Sequence, residues 1–150
     1  MRAVVQRVTE ADVTVDGAVT GRIKQGLMVL IGVEDGDGDS DASYIAKKIA
    51  ALRVFDDENG VMNRSVTDIG GEILAVSQFT LLGDVRKGNR PSYVAAAKPE
   101  VANEIYRIVV DRLRNEHRLH VEEGVFRTEM LVKIHNHGPV TILIDSKKCF

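Results

Sequence analysis

The sequence predicts an α+β protein, in which a mostly antiparallel β-sheet or barrel carries two main helices packed on it. Three observations favour this class. Valine-rich runs make up the opening and closing parts of the chain, and clusters of Gly, Pro or Asp separate them. Only two segments space their apolar residues at the helical period. The length of 150 residues indicates a single domain, residues 1–150, which can form a core without disulfides.

The first predicted strands form a β-meander. Residues 2–9 and 11–15 are rich in valine and predict two strands. Asp16-Gly17 then supplies a tight turn, after which 18–23 returns antiparallel. Residues 27–33 are apolar enough to form a central strand. The remaining predicted strands are 53–55, 72–79, 119–122, 126–136 and 140–145.

The two predicted helices are 41–52 and a segment that starts at Pro99 and stops before His117. In the first, Ile45, Ile49 and Leu52 recur at helical spacing. The second starts with a proline, which suits the first helical position because that position needs no N–H donor. We expect both helices to pack their apolar stripes on the sheet.

Composition and charge exclude several classes of protein. Hydrophobic residues are 44% and charged residues 28% of the chain, as in ordinary globular proteins, so disorder is not indicated. The net charge of −2 argues against a protein that coats nucleic acid nonspecifically. This net charge does not exclude a protein that binds one end of an RNA through a local basic patch. The single cysteine, Cys149, cannot form an internal disulfide.

Nothing in the sequence predicts a leader or a membrane span. The N-terminal residues mix Arg, Glu and Asp into short apolar runs, unlike a signal peptide. The longest apolar stretch, 27–33, is too short to cross a bilayer. We therefore expect a cytoplasmic protein with neither a membrane nor DNA as a partner.

Two side-chain groups suggest metal sites on inspection. Asp35, Asp37 and Asp39 match the first three ligands of a calcium loop, but the later glycine and the bidentate glutamate are missing. His135 and His137 share one face of a strand, yet no third zinc ligand is evident. We expect a loop that caps the following helix and no metal.

The first motif that can carry chemistry is Ser77-Gln78-Phe79-Thr80-Leu81, at the end of a buried strand. In a purely structural interpretation, Phe79 and Leu81 fill core while the hydroxyls cap turns. In a functional one, N–H groups freed at the strand end donate to a carbonyl oxygen that gains negative charge during ester hydrolysis. A Ser-His-Asp hydrolase is not favoured, because no nucleophile elbow or partner His–Asp pair is evident.

The second motif is Asn136-His137-Gly138-Pro139-Val140-Thr141, between two strands. Gly-Pro is most simply a turn. An X–Pro bond can also be cis at a cost of only about 0.5–1 kcal/mol, and a cis bond would aim the neighbouring carbonyls differently. Such carbonyls can accept hydrogen bonds from the ammonium group of a bound amino acid. They leave no room for a side chain on one side of the Cα atom of that amino acid. The sequence leaves the isomer open.

Together the two motifs, the opening residues 1–8 and the length closely resemble the D-aminoacyl-tRNA deacylases, a family of small homodimeric enzymes that remove D-amino acids from mischarged tRNA. The resemblance implies hydrolysis of the ester at the 3′ end of tRNA, hence chiral proofreading in translation. It implies acceptance of glycyl-tRNA, which has no side chain to reject, and no metal or organic cofactor. The active sites are expected at the dimer interface.

The resemblance also implies roles for individual residues. Gly138 and Pro139 of one subunit would enter the partner's active site and reject L-aminoacyl groups by shape. Arg7 would support them by hydrogen bonding to their backbone; alternatively it is an ordinary strand arginine. The family usually has an acidic residue where this chain has His137, so local charge there is in doubt.

The catalytic set expected from the first motif is Ser77, Gln78, Phe79 and Thr80. In the family, Thr80 is proposed as a covalent nucleophile; another proposal uses the 2′-hydroxyl of the terminal adenosine of the tRNA. The chemistry of the motif favours the second, with main-chain donors around these four residues stabilising the oxyanion.

The densest basic cluster follows the first motif. Arg86, Lys87 and Arg90 lie in a Gly-containing loop and are candidates for binding phosphates near the 3′ end of an RNA. A solvated loop is the simpler interpretation. Two other functions stay open on the sequence alone. One is a noncatalytic module that binds RNA ends, and the other is an oligomeric β-barrel hydrolase or deaminase acting on free metabolites.

Overall fold

The computed structural model describes residues 1–150, which form eight strands, two α-helices and one 3-10 turn. The strands are β1 (Arg2–Val15), β2 (Ala18–Ile23), β3 (Gly26–Gly32), β4 (Phe55–Asp56), β5 (Met62–Arg64), β6 (Glu72–Ser77), β7 (His120–Glu123) and β8 (Leu131–Asp145). The helices are α1 (Asp39–Ala51) and α2 (Pro99–Asn115), and the 3-10 turn is Phe79–Leu82. No helix has the length and apolar character needed to cross a membrane.

Strand β1 organises the main sheet. It pairs antiparallel with β2, β3 and β8, while β6 pairs parallel with both β3 and β7. Opposite ends of the sheet approach each other, since a Cβ atom added to Gly21 of β2 would lie 2.7 Å from the main-chain oxygen of Glu123 in β7. The sheet is therefore a nearly closed, mixed barrel, and the α+β prediction is confirmed. The sequence did not indicate the parallel pairs.

The predicted strands 2–9 and 11–15 are one continuous strand. Irregularities in its pairing with β8 fall between Gln6 and Glu10, which lets the long strand bend around the barrel. The predicted turn at Asp16-Gly17 is confirmed, with φ angles of 48° and 80°. These positive values match the tight hairpin turns that such a pair favours.

The prediction of two separate strands at 126–136 and 140–145 is wrong. Strand β8 runs through Gly138-Pro139 without ending. Val8 pairs with Asn136 and Gln6 pairs with Thr141, so the intervening residues of β8 lie opposite Arg7 alone. The Gly138–Pro139 peptide is cis. The motif is therefore a bulge on a long strand, and its predicted role as a chain reversal is corrected.

Both helices are confirmed, with Pro99 at the start of α2. They bury their predicted apolar faces against one side of the sheet, in a core that includes Ile45, Ile49 and Leu113. A smaller cluster, which includes Val8 and Met28, fills the other side. The sheet thus has apolar material on both faces, which explains the near-continuous burial of β3 and β6.

Two further boundaries differ from prediction. The strand predicted as 72–79 ends at Ser77, and a 3-10 turn follows. The short strand near residue 55 pairs with β5 in a hairpin that the sequence did not indicate.

The acidic loop before α1 is held by protein contacts. Asp41 accepts a hydrogen bond from the N–H of Gly38 at 3.0 Å, which caps the helix as predicted. Asp37 accepts from the N–H of Glu34 at 2.6 Å. Asp39 pairs with Arg112 at 2.8 Å. Because Asp37 and Asp39 already have protein partners, and no group of three His, Cys, Asp or Glu side chains could hold a metal ion, the calcium interpretation gains no support.

Candidate active site

The first motif lies where β6 leaves the sheet. The N–H of Gln78 donates to the carbonyl of Ile31 in β3 at 2.7 Å, which fixes the end of the strand. The 3-10 turn then folds back over Gly32. A Cβ atom at Gly32 would lie 2.7 Å from Leu82 Cδ2 and 3.0 Å from the Gln78 carbonyl oxygen, so glycine allows this close packing.

The start of the turn leaves two main-chain donors for a ligand. The Gln78 N–H is used within the sheet, which removes it from the four donors expected around the motif. Phe79 and Thr80 are the first residues of the 3-10 turn, where N–H groups have no partner within the turn. The N–H groups of Phe79 and Thr80 are therefore candidate oxyanion donors.

A pocket of about 700 Å³ opens beside the start of the turn, lined by Ser77, Gln78 and Phe79 but not by Thr80. Ten of its sixteen lining residues are hydrophobic, so most of the wall is apolar. Its lining residues are Val33, Val76, Ser77, Gln78, Phe79, Tyr93, Ala96, Ala97, Lys98, Pro99, Ala102, Phe126, Arg127, Thr128, Met130 and Val132. An apolar cleft with a few convergent polar groups is the usual form of a ligand site.

The pocket contains no group that could activate a nucleophile. No Asp, Glu or His lines it. The Thr80 hydroxyl accepts a hydrogen bond from Nε2 of Gln78, which orients the hydroxyl and leaves its proton free to donate. A threonine needs an adjacent base to act as a nucleophile. The site is therefore better suited to positioning and donating than to covalent catalysis.

The second motif is anchored by two side chains that cross between β1 and β8. Arg7 Nε donates to the His137 carbonyl at 3.0 Å, and Arg7 Nη1 donates to the Val54 carbonyl at 2.8 Å. Asn136 Nδ2 donates to the Arg7 and Val140 carbonyls, each at 3.1 Å. Arg7 is only 7% exposed. It is thus a buried clamp on the backbone of the motif, rather than an ordinary strand arginine.

The two motifs do not meet within one chain. Strands β1 and β3 lie between β8 and β6. The bulge is opposite Arg7, whereas Ser77 aligns through Ile31 with Ala3. Three strand spacings and four residues of offset separate the motifs by on the order of 15–20 Å. Neither Gly138 nor Pro139 lines the pocket.

The basic loop is partly neutralised. Arg86 forms a bidentate pair with Asp84, with Nη2 to Oδ2 at 2.6 Å and Nε to Oδ1 at 2.9 Å. The hydrogen bonds from Arg86 lower the pKa of Asp84 to about 2, so the pair stays ionised near neutral pH. Main-chain bonds between Asp84 and Ser92 close the loop. Of the predicted phosphate ligands, Arg86 is in an ion pair, whereas Lys87 and Arg90 are not.

The two histidines of the predicted pair, His135 and His137, make different contacts. His135 Nδ1 lies 3.2 Å from a carboxylate oxygen of Glu10, and His137 contributes its carbonyl to Arg7. No group of three or more His, Cys, Asp or Glu side chains has the geometry of a metal site.

Several pocket residues were missed by sequence analysis. Tyr93, Phe126, Arg127 and Met130 come from connecting segments distant in sequence, and none belongs to a motif. Tyr93 packs edge-on against Phe79, with ring centroids 5.1 Å apart. The available signal was weak: aromatic and basic residues occurring in loops directly after a strand or before a helix.

The fold is a mixed barrel with two helices, and its apolar pocket lies beside a motif that ends a strand. The sequence profile of the D-Tyr-tRNA(Tyr) deacylase family matches residues 4–145, and the chain belongs to this family. The resemblance found from the two motifs is confirmed.

Relatives align along the whole chain. A D-aminoacyl-tRNA deacylase of Desulfitobacterium hafniense (strain DSM 10664 / DCB-2) is 59% identical over 150 residues, which is 100% of each chain. One of Koribacter versatilis (strain Ellin345) is 58% identical, again over 100% of each chain. The chain is thus an enzyme of the deacylase class.

Solved structures share the architecture. A structure of the c-Myc DNA Unwinding Element Binding Protein superposes with a TM-score of 0.92 at 43% identity, covering 97% of this chain and 98% of that one. A probable eukaryotic D-amino acid tRNA deacylase superposes with a TM-score of 0.80 at 17% identity, covering 95% and 97%. The second likeness concerns the fold alone.

Proposed function

We propose that the protein hydrolyses the ester joining a D-amino acid to the 3′ end of tRNA, and so proofreads chirality in translation. The observation that carries this proposal is the pair of N–H groups of Phe79 and Thr80 at the start of the 3-10 turn, beside a pocket that no Asp, Glu or His lines. Such a site suits the hydrolysis of an activated ester more than the cleavage of a stable amide. Family membership supports the same substrate.

In the proposed reaction, water adds to the ester carbonyl and the carbonyl oxygen gains negative charge. The two main-chain donors stabilise that oxygen, an effect worth about 3–4 kcal/mol for one donor in comparable sites. The carbon–oxygen bond to the ribose then breaks, and the leaving ribose oxygen takes up a proton. The 2′-hydroxyl of the terminal adenosine assists proton transfer, because the pocket offers no imidazole or carboxylate. No cofactor or metal takes part.

The proposed active form is a homodimer in which Gly138 and Pro139 enter the partner's pocket. Two features support this arrangement. The motifs are too far apart in one chain to contact the same amino acid. Strand β8 pairs only with β1, and Leu131 and Leu143 on it are 62% and 58% exposed. A long apolar edge strand is normally covered, and a second copy would cover it.

Selection by shape follows from this arrangement. The main chain of the partner's Gly-Pro bulge would occupy the space that an L side chain needs, whereas a D side chain or glycine fits. We propose that glycyl-tRNA is therefore also a substrate. Lys87 and Arg90 would contact tRNA phosphates outside the pocket. A tRNA substrate also implies a cytoplasmic location.

The function is tested by incubating chelator-treated protein with D-Tyr-tRNA, L-Tyr-tRNA and glycyl-tRNA. We expect release of tyrosine from the D ester and of glycine, with the L ester left intact. Equal rates on both tyrosyl esters, or a requirement for added metal, would contradict the proposal. Binding of charged and uncharged tRNA without turnover would instead indicate a noncatalytic RNA-binding module.

Replacing Thr80 with alanine tests the mechanism. We expect kcat/KM on D-Tyr-tRNA to fall less than about tenfold, because one neutral hydrogen bond contributes about 1 kcal/mol. Thr128→Ala, which removes a threonine hydroxyl that lines the pocket, is the matched control. Loss of activity by a factor of about 1,000 or more, or an acyl-enzyme mass that disappears in the variant, would make Thr80 a nucleophile.

A further inference from the structure

Lys98 and Arg127 are the only charged side chains that line the pocket. Both residues are exposed, and neither takes part in a salt bridge or a side-chain hydrogen bond within the protein. Arg86, Arg112 and Lys147, by contrast, each pair with a carboxylate. The pocket therefore holds two positive charges that the protein does not compensate.

The charge of the pocket contrasts with that of the whole chain. The chain has a net charge of −2, yet no carboxylate lines the pocket. Cations in a concave, largely apolar site attract anions more strongly than the same cations on an open surface, since water screens them less. The site consequently favours a ligand with a negative group and disfavours an additional cation near these two side chains.

The segments that carry both cations are anchored near the first motif. The N–H of Ala97 donates to the Val33 carbonyl at 3.0 Å, which ties the residue before Lys98 to the segment following β3. The N–H of Gly124 donates to the Ala75 carbonyl at 3.1 Å, which ties the chain three residues before Arg127 to β6. Ala75 lies two residues before Ser77 in the same strand. Both side chains can therefore reach an anion bound at the pocket beside the motif.

Arg127 also has an unusual backbone. Its φ angle is 61°, in the left-handed region that residues other than glycine and asparagine rarely occupy. This conformation directs the turn at residues 126–128 over the pocket, and all three residues line it. The Thr128 hydroxyl donates to the Val125 carbonyl at 2.9 Å and closes the turn.

We propose that Lys98 and Arg127 bind the phosphate that links the terminal nucleotide of the RNA to the preceding one. This inference depends on the function proposed above and names a substrate group for the same pocket. The volume of about 700 Å³ lies within the range of sites that take small organic ligands, roughly 300–1,000 Å³. Bound at its phosphate on one side and at its ester on the other, the terminal nucleotide is positioned without any base being read.

The test uses two small substrates, 3′-O-D-tyrosyl adenosine with and without a 5′-phosphate. That phosphate corresponds to the linkage in question. In the wild type we expect the phosphate to raise kcat/KM about tenfold. The readout is the ratio of kcat/KM with and without the phosphate: in Lys98→Met and Arg127→Gln this ratio should shrink, and in the double variant it should fall to about one. Lys24→Met, which removes an exposed cation at the other end of β3, is the control.

Hydrolysis of D-Tyr-tRNA provides a second readout. The magnitude of the slope of log kcat/KM against log salt concentration should fall by about 0.7 in the double variant, as expected for the loss of one phosphate contact on a single strand. An unchanged slope in the double variant overturns the inference even if the wild type does not hydrolyse the small esters. The inference is also overturned if the 5′-phosphate still raises kcat/KM in the double variant, or if kcat/KM falls equally on both small esters.

Failure of the proposed function has a different signature. A wild-type protein that hydrolyses neither D-Tyr-tRNA nor the small D esters would overturn that function and this inference together. If the wild type hydrolyses D-Tyr-tRNA and the variants show the same kcat/KM and salt dependence as the wild type, the phosphate site alone is overturned. Thermal unfolding of each variant should match the wild type, since both side chains are exposed.

Discussion

Arg7→Leu is expected to lower the free energy of unfolding by about 2–4 kcal/mol and kcat/KM on D-aminoacyl-tRNA by about 100-fold. Arg7 is buried and donates to the carbonyls of Val54 and His137 at 2.8 and 3.0 Å. Leucine fills part of the volume but donates nothing, so two carbonyls lose their partner. Each buried, unpaired group costs about 1–3 kcal/mol.

The loss of activity has a geometric cause. Arg7 is the β1 residue opposite the bulge that carries Gly138 and Pro139. Without its guanidinium, nothing on β1 holds the His137 carbonyl, and the bulge can shift. A displacement of about 1 Å at a reacting site can cost about 100-fold in rate. The role of Arg7 is therefore one of positioning, at a distance from the ester.

Urea denaturation at a fixed protein concentration measures the first effect, and steady-state kinetics the second. Arg53→Leu is the matched control, because Arg53 is exposed in the neighbouring segment and makes one hydrogen bond, to the Asn63 carbonyl. It should change stability by no more than about 0.5 kcal/mol. A loss of stability below about 1 kcal/mol with normal activity in Arg7→Leu would disprove the clamp.

Gly138→Ala is expected to reduce hydrolysis of D-aminoacyl-tRNA by about 100-fold and to narrow the preference for D over L esters. A Cβ atom at this position would lie 2.7 Å from Asn136 Oδ1. The Asn136 amide bridges the carbonyls of Arg7 and Val140, so the added methyl group must displace that amide or the bulge itself. Either movement alters the surface proposed to reject L side chains.

The readout is the ratio of kcat/KM for D-Tyr-tRNA and L-Tyr-tRNA, together with the oligomeric state. Gly38→Ala serves as control, because a Cβ atom there meets nothing within 4 Å and lies outside both motifs. A Gly138→Ala protein that keeps the oligomeric state, the rate and the D preference of the wild type would contradict the proposed role. A change of oligomeric state alone, with rate and preference unchanged, would place the effect on assembly.

Sequence patterns predicted those elements whose signals are local. Pro99 marked the start of α2, and Asp16-Gly17 marked a turn with positive φ angles at both residues. These features depend on the conformational preferences of a few neighbouring residues. The order of strands in the sheet was not accessible in this way, because β6 joins β3 through the packing of distant segments.

The second motif shows why local signals can mislead. Gly138-Pro139 has the composition of a turn, yet β8 continues through it. The deciding contacts come from Arg7 and Asn136, which hold the bulge against β1. A residue more than one hundred positions away in sequence thus determines whether the chain reverses or bulges.

The site was predicted in part for a similar reason. The residues of the first motif are consecutive, so their pattern could be recognised, and the structure places Ser77, Gln78 and Phe79, but not Thr80, at the pocket. The pairing of Arg86 with Asp84 depends on the turn conformation of their loop, which composition does not specify. Lys98 and Arg127 meet at the pocket only through tertiary folding.

The pairing of β8 with β1 has a consequence for biosynthesis. During translation β1 emerges from the ribosome first, but its long neighbour β8 is made more than one hundred residues later. Until then, one flank of β1 has no hydrogen-bonding partner. Nascent chains that stall before β8 should therefore be recognised by chaperones or proteases.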